Sequence, residues 1–259
     1  MPNQPLTSRI EDAAAMLRKA QKVAILTGAG VSKESGVPTF RDALEGYWQN
    51  YNPEDLATPA AFKRNPRLVW EWYESRRSRV GSVQPNPGHV AIAEIERLLP
   101  EVLVITQNVD GLHRRAGSRE VIELHGDITQ HKCFDDCKGN PTLIDLDSFV
   151  WDKSNPPPYC PHCHSAYVRP NVVWFTEALP PDALHRALDF VSRCEVMLVV
   201  GTSGVVQPAA SLPYQAKRYG GAKVIDVNPL PDEITSIADI FLQGKSGEVL
   251  PEMVRLLRA

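Results

Sequence analysis

Apolar residues gather in short runs at 23–26, 102–105, 121–124, 197–200, 224–227 and 240–242, interrupted only by Glu123 and Asp226. Runs of this length with so little polar interruption are what strands buried on both faces of a parallel sheet look like. Helical periodicity fills the spaces between several of them. One such segment covers 10–20, with Ser8 as its N-cap and Glu11 at the third helical position. Others cover 89–99, 182–191 and 209–219, the last ended by Gly220-Gly221, and 247–257 closes the chain. The alternation predicts an α/β fold: a doubly wound, Rossmann-like parallel sheet. There is no internal repeat.

Two stretches depart from this rhythm. Residues 129–170 hold four cysteines, the run Pro156-Pro157-Pro158 and little periodicity, which predicts a smaller module inserted into a domain made of 1–128 and 171–259. Residues 43–87 are rich in aromatics (Tyr47, Trp48, Tyr51, Phe62, Trp70, Trp72, Tyr73) and read as a helical segment covering a cleft. The plainer alternative is a helical excursion that only adds core.

The inserted stretch carries the clearest chemistry. Cys133-x-x-x-Cys137 and Cys160-x-x-Cys163 have the spacing of a structural zinc site, in which four thiolates satisfy a tetrahedral ion and leave no position open for catalysis. His162 and His164 are expected to be exposed loop residues beside it. Cys194, just before an apolar run, reads as a small buried hydrophobe.

Composition narrows the class. With 259 residues, 43% hydrophobic and 23% charged, the chain suits one substantial core with room for an appended module. A formal net charge of −3 gives no broad electrostatic reason to bind nucleic acid or membrane. The first ten residues lack a cationic and an apolar signal region, so a cytoplasmic protein is expected, with a monomer favoured.

Polar and glycine-rich groups follow several strands. Gly28-Ala29-Gly30-Val31-Ser32 could bring backbone N–H groups to a phosphate, yet a G-x-G-x-x-G fingerprint would need glycine where Lys33 stands. A tight strand-to-helix turn is the alternative. Pro38-Thr39-Phe40-Arg41-Asp42 suits a loop that folds over a ligand. Gln107, Asn108 and Asp110 follow one strand, and His125 ends another, where parallel strands deliver side chains to a ligand crevice. An imidazole there suits a general base.

Taken in chain order, these segments resemble the sirtuins, NAD-consuming protein-lysine deacylases. The resemblance rests on Gly28 to Asp42, Thr106-Gln107-Asn108-Val109-Asp110-Gly111-Leu112-His113, His125-Gly126, the four cysteines, Gly201-Thr202-Ser203 and Asp226-Val227-Asn228. It implies that Gly28, Ala29, Gly30, Ser32, Thr39, Phe40 and Arg41 bind NAD. Gln107, Asn108 and Asp110 would hold its nicotinamide end, Gly201, Thr202 and Ser203 its pyrophosphate, Asn228 its adenosine ribose, and Ser246 its adenine side. His125 and Asn108 would be catalytic. The strand 172–175, through Val173 and Phe175, would pair with the substrate peptide by β-augmentation. Thr176 stands where the family usually has glycine. If that position needs positive φ, threonine is strained there.

The implied reaction is attack of the acyl oxygen on C1′ of the NAD ribose as nicotinamide leaves. An alkylimidate forms, His125 deprotonates the ribose hydroxyls, and water finishes the reaction. The products are nicotinamide, O-acyl-ADP-ribose and free lysine, and the partners acylated-lysine proteins or peptides. Tyr73-x-x-Arg76 matches the class III motif, with Thr39 and the small Ala43 in support, so desuccinylation and demalonylation are expected above a weaker deacetylation. A general deacetylase and a mono-ADP-ribosyltransferase are the alternatives within the family. Outside it, an NAD-dependent oxidoreductase should carry the missing third glycine. A zinc-ribbon nucleic-acid binder should have a basic face, whereas 129–170 mixes Asp135, Asp136, Asp145 and Asp147 with its few bases.

Overall fold

The computed structural model describes residues 4–38 and 51–259. Its strands, among the described residues, are β1 (Lys22–Thr27), β2 (Glu101–Thr106), β3 (Val121–Glu123), β4 (Gly126–Cys133), β5 (Leu143–Ile144), β6 (Val168–Val172), β7 (Val196–Val200), β8 (Lys223–Asn228) and β9 (Ile240–Gln243). Six pair in parallel in the order β3-β2-β1-β7-β8-β9. These are the six apolar runs of the sequence, extended by a residue or two at most ends. The other three form a small antiparallel sheet, β5-β4-β6.

Alternation along each strand sends side chains to two cores. Val23, Ile25, Val104, Leu198 and Ile225 share one with Ile10, Leu17, Ile92, Leu250 and Met253. Ala24, Leu26, Ile105, Met197 and Val199 share the other with Ala187, Val191, Leu212 and Ala216. Both faces are covered, which is why these strands read as nearly continuous apolar runs.

Among the described residues the α-helices are α1 (Leu6–Lys19), α2 (Ala29–Lys33), α3 (Pro59–Arg64), α4 (Pro66–Ser82), α5 (Pro87–Leu98), α6 (Leu112–Arg115), α7 (Pro181–Val191), α8 (Leu212–Gln215) and α9 (Ser246–Arg258). Two expectations are corrected. Ser8 is not the cap of α1: the helix starts at Leu6, which packs on the core, and Pro5 takes the cap position without a side-chain bond. The apolar contact outweighs the capping signal. The run 209–219 is not one regular helix either. It is a 3₁₀ turn (Ala209–Ser211), α8, and a π turn (Ala216–Gly220) closed by Gly221 at φ +64°. Pro213 has no N–H to give to a preceding turn, so the α-helix restarts around it.

The small sheet leaves the large one just after β3, where Gly126 pairs with Val172, and runs out to the pair Cys133 and Val168. Its face packs on the helical segment: Phe62, Trp72, Tyr73 and Val80 share a cluster with Ile128, Val172 and Trp174. Among the described residues no helix is long and apolar enough to cross a membrane.

Candidate functional site

The large sheet reverses its winding between β1 and β7, and in such sheets ligands bind outside the carboxyl ends of the strands at that switch point. There Gly28 and Gly30 follow β1 and Gly201 follows β7. A Cβ on Gly30 would lie 2.7 Å from the Gly201 carbonyl oxygen, and one on Gly201 only 2.5 Å from the Val31 nitrogen. Glycine is required because two backbones touch. This revises the expectation of bare donors: the N–H of Gly28 donates to the Val200 carbonyl at 3.1 Å and that of Gly30 to the Gly201 carbonyl at 2.8 Å. Ala29 is exposed at the start of α2.

Behind these loops lies a buried polar network. The Ser32 hydroxyl donates to Asp110 Oδ2 at 2.7 Å, and the Leu112 N–H donates to Asp110 Oδ1 at 3.0 Å. The Asn108 side-chain NH₂ donates to the Gly28 carbonyl and to Ser32 Oγ, both at 3.1 Å. Both amide protons are thereby spent, which makes the amide oxygen the group Asn108 could offer elsewhere. Burial pushes the Asp110 carboxyl up, opposed by those two hydrogen bonds. His89 and His113 join the network, with His89 Nε2 3.3 Å from Ser32 Oγ and His113 Nε2 2.8 Å from Thr27 Oγ1. Sequence reasoning gave His89 no role; its one signal is the capping box Asn86-x-x-His89 at the start of α5.

His125 projects from the end of β3, half-buried. Its Nδ1 lies 2.9 Å from the Gln107 carbonyl, which can only accept, so Nδ1 carries the proton and Nε2 keeps a free lone pair. Burial lowers its pKa, against the raising effect of that hydrogen bond. Gly126 follows at φ +81°, and a Cβ there would lie 2.2 Å from the Asn171 carbonyl oxygen.

The remaining nucleotide-side residues sit at the neighbouring strand ends. Gln107 donates its side-chain amide to Thr202 Oγ1 at 3.0 Å, and Asn228 donates to the Thr202 carbonyl at 3.0 Å. Ser203 is exposed beside them. Asp226 faces away into the core, where it accepts from the Thr235 hydroxyl at 2.7 Å, and burial pushes its carboxyl up to about 6. Ser246 is buried in the first turn of α9 and donates its hydroxyl to Glu34 at 2.9 Å. These polar groups, gathered at one sheet edge, fit a dinucleotide.

The strand expected over 172–175 ends earlier, since β6 stops at Val172. Beyond it the N–H of Val173 donates to the His125 carbonyl, that of Trp174 to Glu177 Oε2 and that of Phe175 to the Ala57 carbonyl. What this segment offers a partner backbone therefore falls to carbonyl oxygens other than that of Trp174, which accepts from the Glu177 N–H at 3.1 Å. Phe175 is 48% exposed, and Thr176 does hold positive φ, at +73°. On α4, Tyr73 packs edge-on to Trp72 with ring centroids 4.6 Å apart, and the Arg76 guanidinium lies 5.0 Å from the Trp72 ring. Burial pushes the Tyr73 phenol up to about 12, opposed by the charges of Arg76 and Arg169. Thr39, Phe40, Arg41 and Ala43 lie outside the described residues.

The four cysteines converge although 30 residues separate the first from the last. Their sulfur atoms all lie within 4.8 Å of one another, with Cys133 to Cys163 at 3.9 Å and Cys137 to Cys160 at 3.8 Å. Tetrahedral zinc with Zn–S near 2.3 Å needs sulfurs about 3.8 Å apart, so the set fits a structural zinc. His162 and His164 are exposed, outside this set.

Residues 28–208 match the model of the Sir2 family. The chain is 50% identical over 243 residues to the NAD-dependent protein deacylase of Pyrococcus furiosus, covering 94% of this chain and 96% of that one. Among solved structures, a Sir2 homologue in complex with NAD superposes with a TM-score of 0.86 at 47% identity, covering 96% of this chain and 93% of the other. A Sir2 enzyme bound to a myristoylated histone peptide superposes with a TM-score of 0.75 at 41% identity over 97% of each chain.

Proposed function

Because the chain belongs to the Sir2 family and is an NAD-dependent protein deacylase, we propose that it prefers acidic acyl groups, succinyl or malonyl, over acetyl. The observation that carries this reading is the shared face of Tyr73 and Arg76 on α4. The two are one helical turn apart, and Arg76 lies within electrostatic range of both Tyr73 and Asp110. That brings the face of α4 toward the Asn108–Asp110 loop. A phenol donor and a planar guanidinium fork together suit a carboxylate at the end of an acyl chain.

NAD, as the consumed co-substrate, supplies the electrophilic ribose carbon and the nicotinamide leaving group. The chain's own residues do the rest. Asn108, its amide protons spent on Gly28 and Ser32, presents an oxygen to the nicotinamide end. His125 holds its proton on Nδ1 against Gln107, which leaves Nε2 to take the proton of a ribose hydroxyl. Thr202 and Asn228 line the nucleotide side, and the segment after β6 is the place for an acyl-lysine peptide; that a relative binds a myristoylated histone peptide supports such a substrate.

The test is kcat/KM for one peptide carrying succinyl-, malonyl- or acetyl-lysine. A charge-assisted hydrogen bond is worth roughly 1.5–3 kcal/mol, so Arg76→Met should depress succinyl hydrolysis about 10- to 150-fold more than acetyl hydrolysis. A wild type that cleaves acetyl-lysine faster, or an Arg76→Met that lowers both equally, would refute the proposal.

A further inference from the structure

The last helix starts without a cap of its own. Lys245 occupies the cap position of α9 and makes no capping side-chain bond. The first N–H groups of a helix have no intrahelical acceptor, so they need one from elsewhere. It comes from far off in the sequence. A single oxygen of Glu34, Oε1, accepts from the Ser246 hydroxyl at 2.9 Å and from the Gly247 N–H at 2.9 Å. A carboxylate there also meets the positive end of the helix dipole. The fit is close: a Cβ on Gly247 would lie 2.7 Å from Glu34 Oε2, and one on Gly88, in the first turn of α5, 2.8 Å from Ser246 Oγ.

Glu34 itself sits between α2 and the turn at Gly36, where the chain leaves for residues 39–43. That stem is pinned on its other sides. Asn86 donates to the Val31 carbonyl at 2.7 Å and to Ser35 Oγ at 3.0 Å, and Arg79 donates to the Gly36 carbonyl at 3.1 Å. Glu34 is the member of this group that reaches the turn after β9. It therefore joins two places separated along the sheet by β7 and β8: the loop after β1 and the segment 244–247.

We propose that Glu34 is a positioning residue for NAD binding. It holds the turn after β9 and the stem of the loop after α2 at a fixed separation, so the dinucleotide meets a preformed cleft and does not have to order it. The inference rests on NAD as co-substrate and is independent of the acyl preference. Glu34 touches no reacting atom; it acts through Ser246 and the start of α9.

Both bonds end on one oxygen, so glutamine can keep them through its amide oxygen while alanine loses both. With whichever acyl peptide the wild type cleaves best, Glu34→Ala should raise the KM for NAD about tenfold, the effect of losing a charged hydrogen-bond acceptor. The kcat at saturating NAD and the KM for peptide should stay within about twofold of wild type, since neither depends on the nucleotide being pre-positioned. Calorimetric titration with ADP-ribose should show the same loss of affinity, and Glu34→Gln should restore most of it. Should Glu34→Ala fail to fold, Glu34→Asp, whose carboxylate falls one methylene short of Ser246 and Gly247, should give an intermediate loss. An unchanged KM for NAD and ADP-ribose affinity in the variant that folds would overturn the proposal. So would an equal rise in both KM values, or a Glu34→Gln as damaging as alanine.

Discussion

Arg169 and Glu177 form a bidentate ion pair, Nη1 to Oε1 at 2.6 Å and Nη2 to Oε2 at 2.9 Å, with the arginine 1% exposed. The guanidinium lies 3.3 Å from the centre of the Trp174 ring, and Glu177 also accepts from the Trp174 N–H. The pair thus fastens the turn that follows β6, next to the peptide-facing segment. Burial alone would push the Glu177 carboxyl up. The hydrogen bond and charge of Arg169, helped by the Trp174 N–H, more than offset this and hold it below the ordinary range. A depressed carboxyl pKa stabilises the fold above the unfolded value, and that contribution is lost as pH falls through the folded value. Arg169→Met removes the compensating charge and should destabilise by about 3 kcal/mol, the low end for breaking a buried pair because Glu177 keeps some contact with water. Denaturant unfolding at neutral pH checks the loss, and the variant's shallower decline in stability between about pH 5 and pH 3 checks its origin.

Inside that turn Thr176 holds φ at +73°, a region that costs a β-branched residue about 1–2 kcal/mol. Thr176→Gly should relieve this strain, partly offset by the greater freedom of glycine in the unfolded chain. A net gain of roughly 0.5–1 kcal/mol, about 1–4 °C in Tm, is expected for a chain of this size. A fall in Tm would show that the threonine methyl or hydroxyl makes a contact worth more than the strain.

His125 should govern the acid limb of the pH profile. Its folded pKa is lowered, chiefly by burial, so the neutral base persists below the ordinary histidine value of about 6.5. The value of kcat/KM should rise with pH and reach its half-maximum below that point. His125→Ala should cut turnover by about 10²–10⁴-fold while ADP-ribose still binds. Retention of most of the wild-type rate would remove His125 from the base role.

The cysteine cluster should hold one zinc, measurable by elemental analysis. Cys160 is fully buried, and its replacement by serine should release the metal and loosen the small sheet, because structural zinc supplies folding energy. Loss of a cooperative transition for the inserted segment, with the large sheet still folded, is the expected result. A metal-free Cys160→Ser variant that melts like wild type would contradict a structural role.

How far did the sequence reach alone? It determined the six strands of the large sheet, because strands buried on both faces leave nearly continuous apolar runs that need no knowledge of neighbours. It also determined the zinc ligands, since two close pairs of thiols in one stretch have few other uses. The small sheet was not legible in this way: β4 alternates Asp127, Thr129, Gln130 and Lys132 with a few apolar residues, and its pairing with β6 crosses more than 30 residues. Local signals also misled where a distant contact decided the matter, as when the packing of Leu6 moved the start of α1 past Ser8. The site divides along the same line. Strand ends offered Asn108 and His125 and the family resemblance gave them roles, but only the folded chain shows that Ser32 and Gly28 orient the one and Gln107 sets the tautomer of the other. It likewise shows that the N–H groups of Gly28 and Gly30 are spent on β7 and the loop after it, and that Glu34 caps a helix 212 residues away. Hydrogen-bond direction and close backbone approach depend on which residues meet in space, and pairings that remote leave no periodicity in the chain.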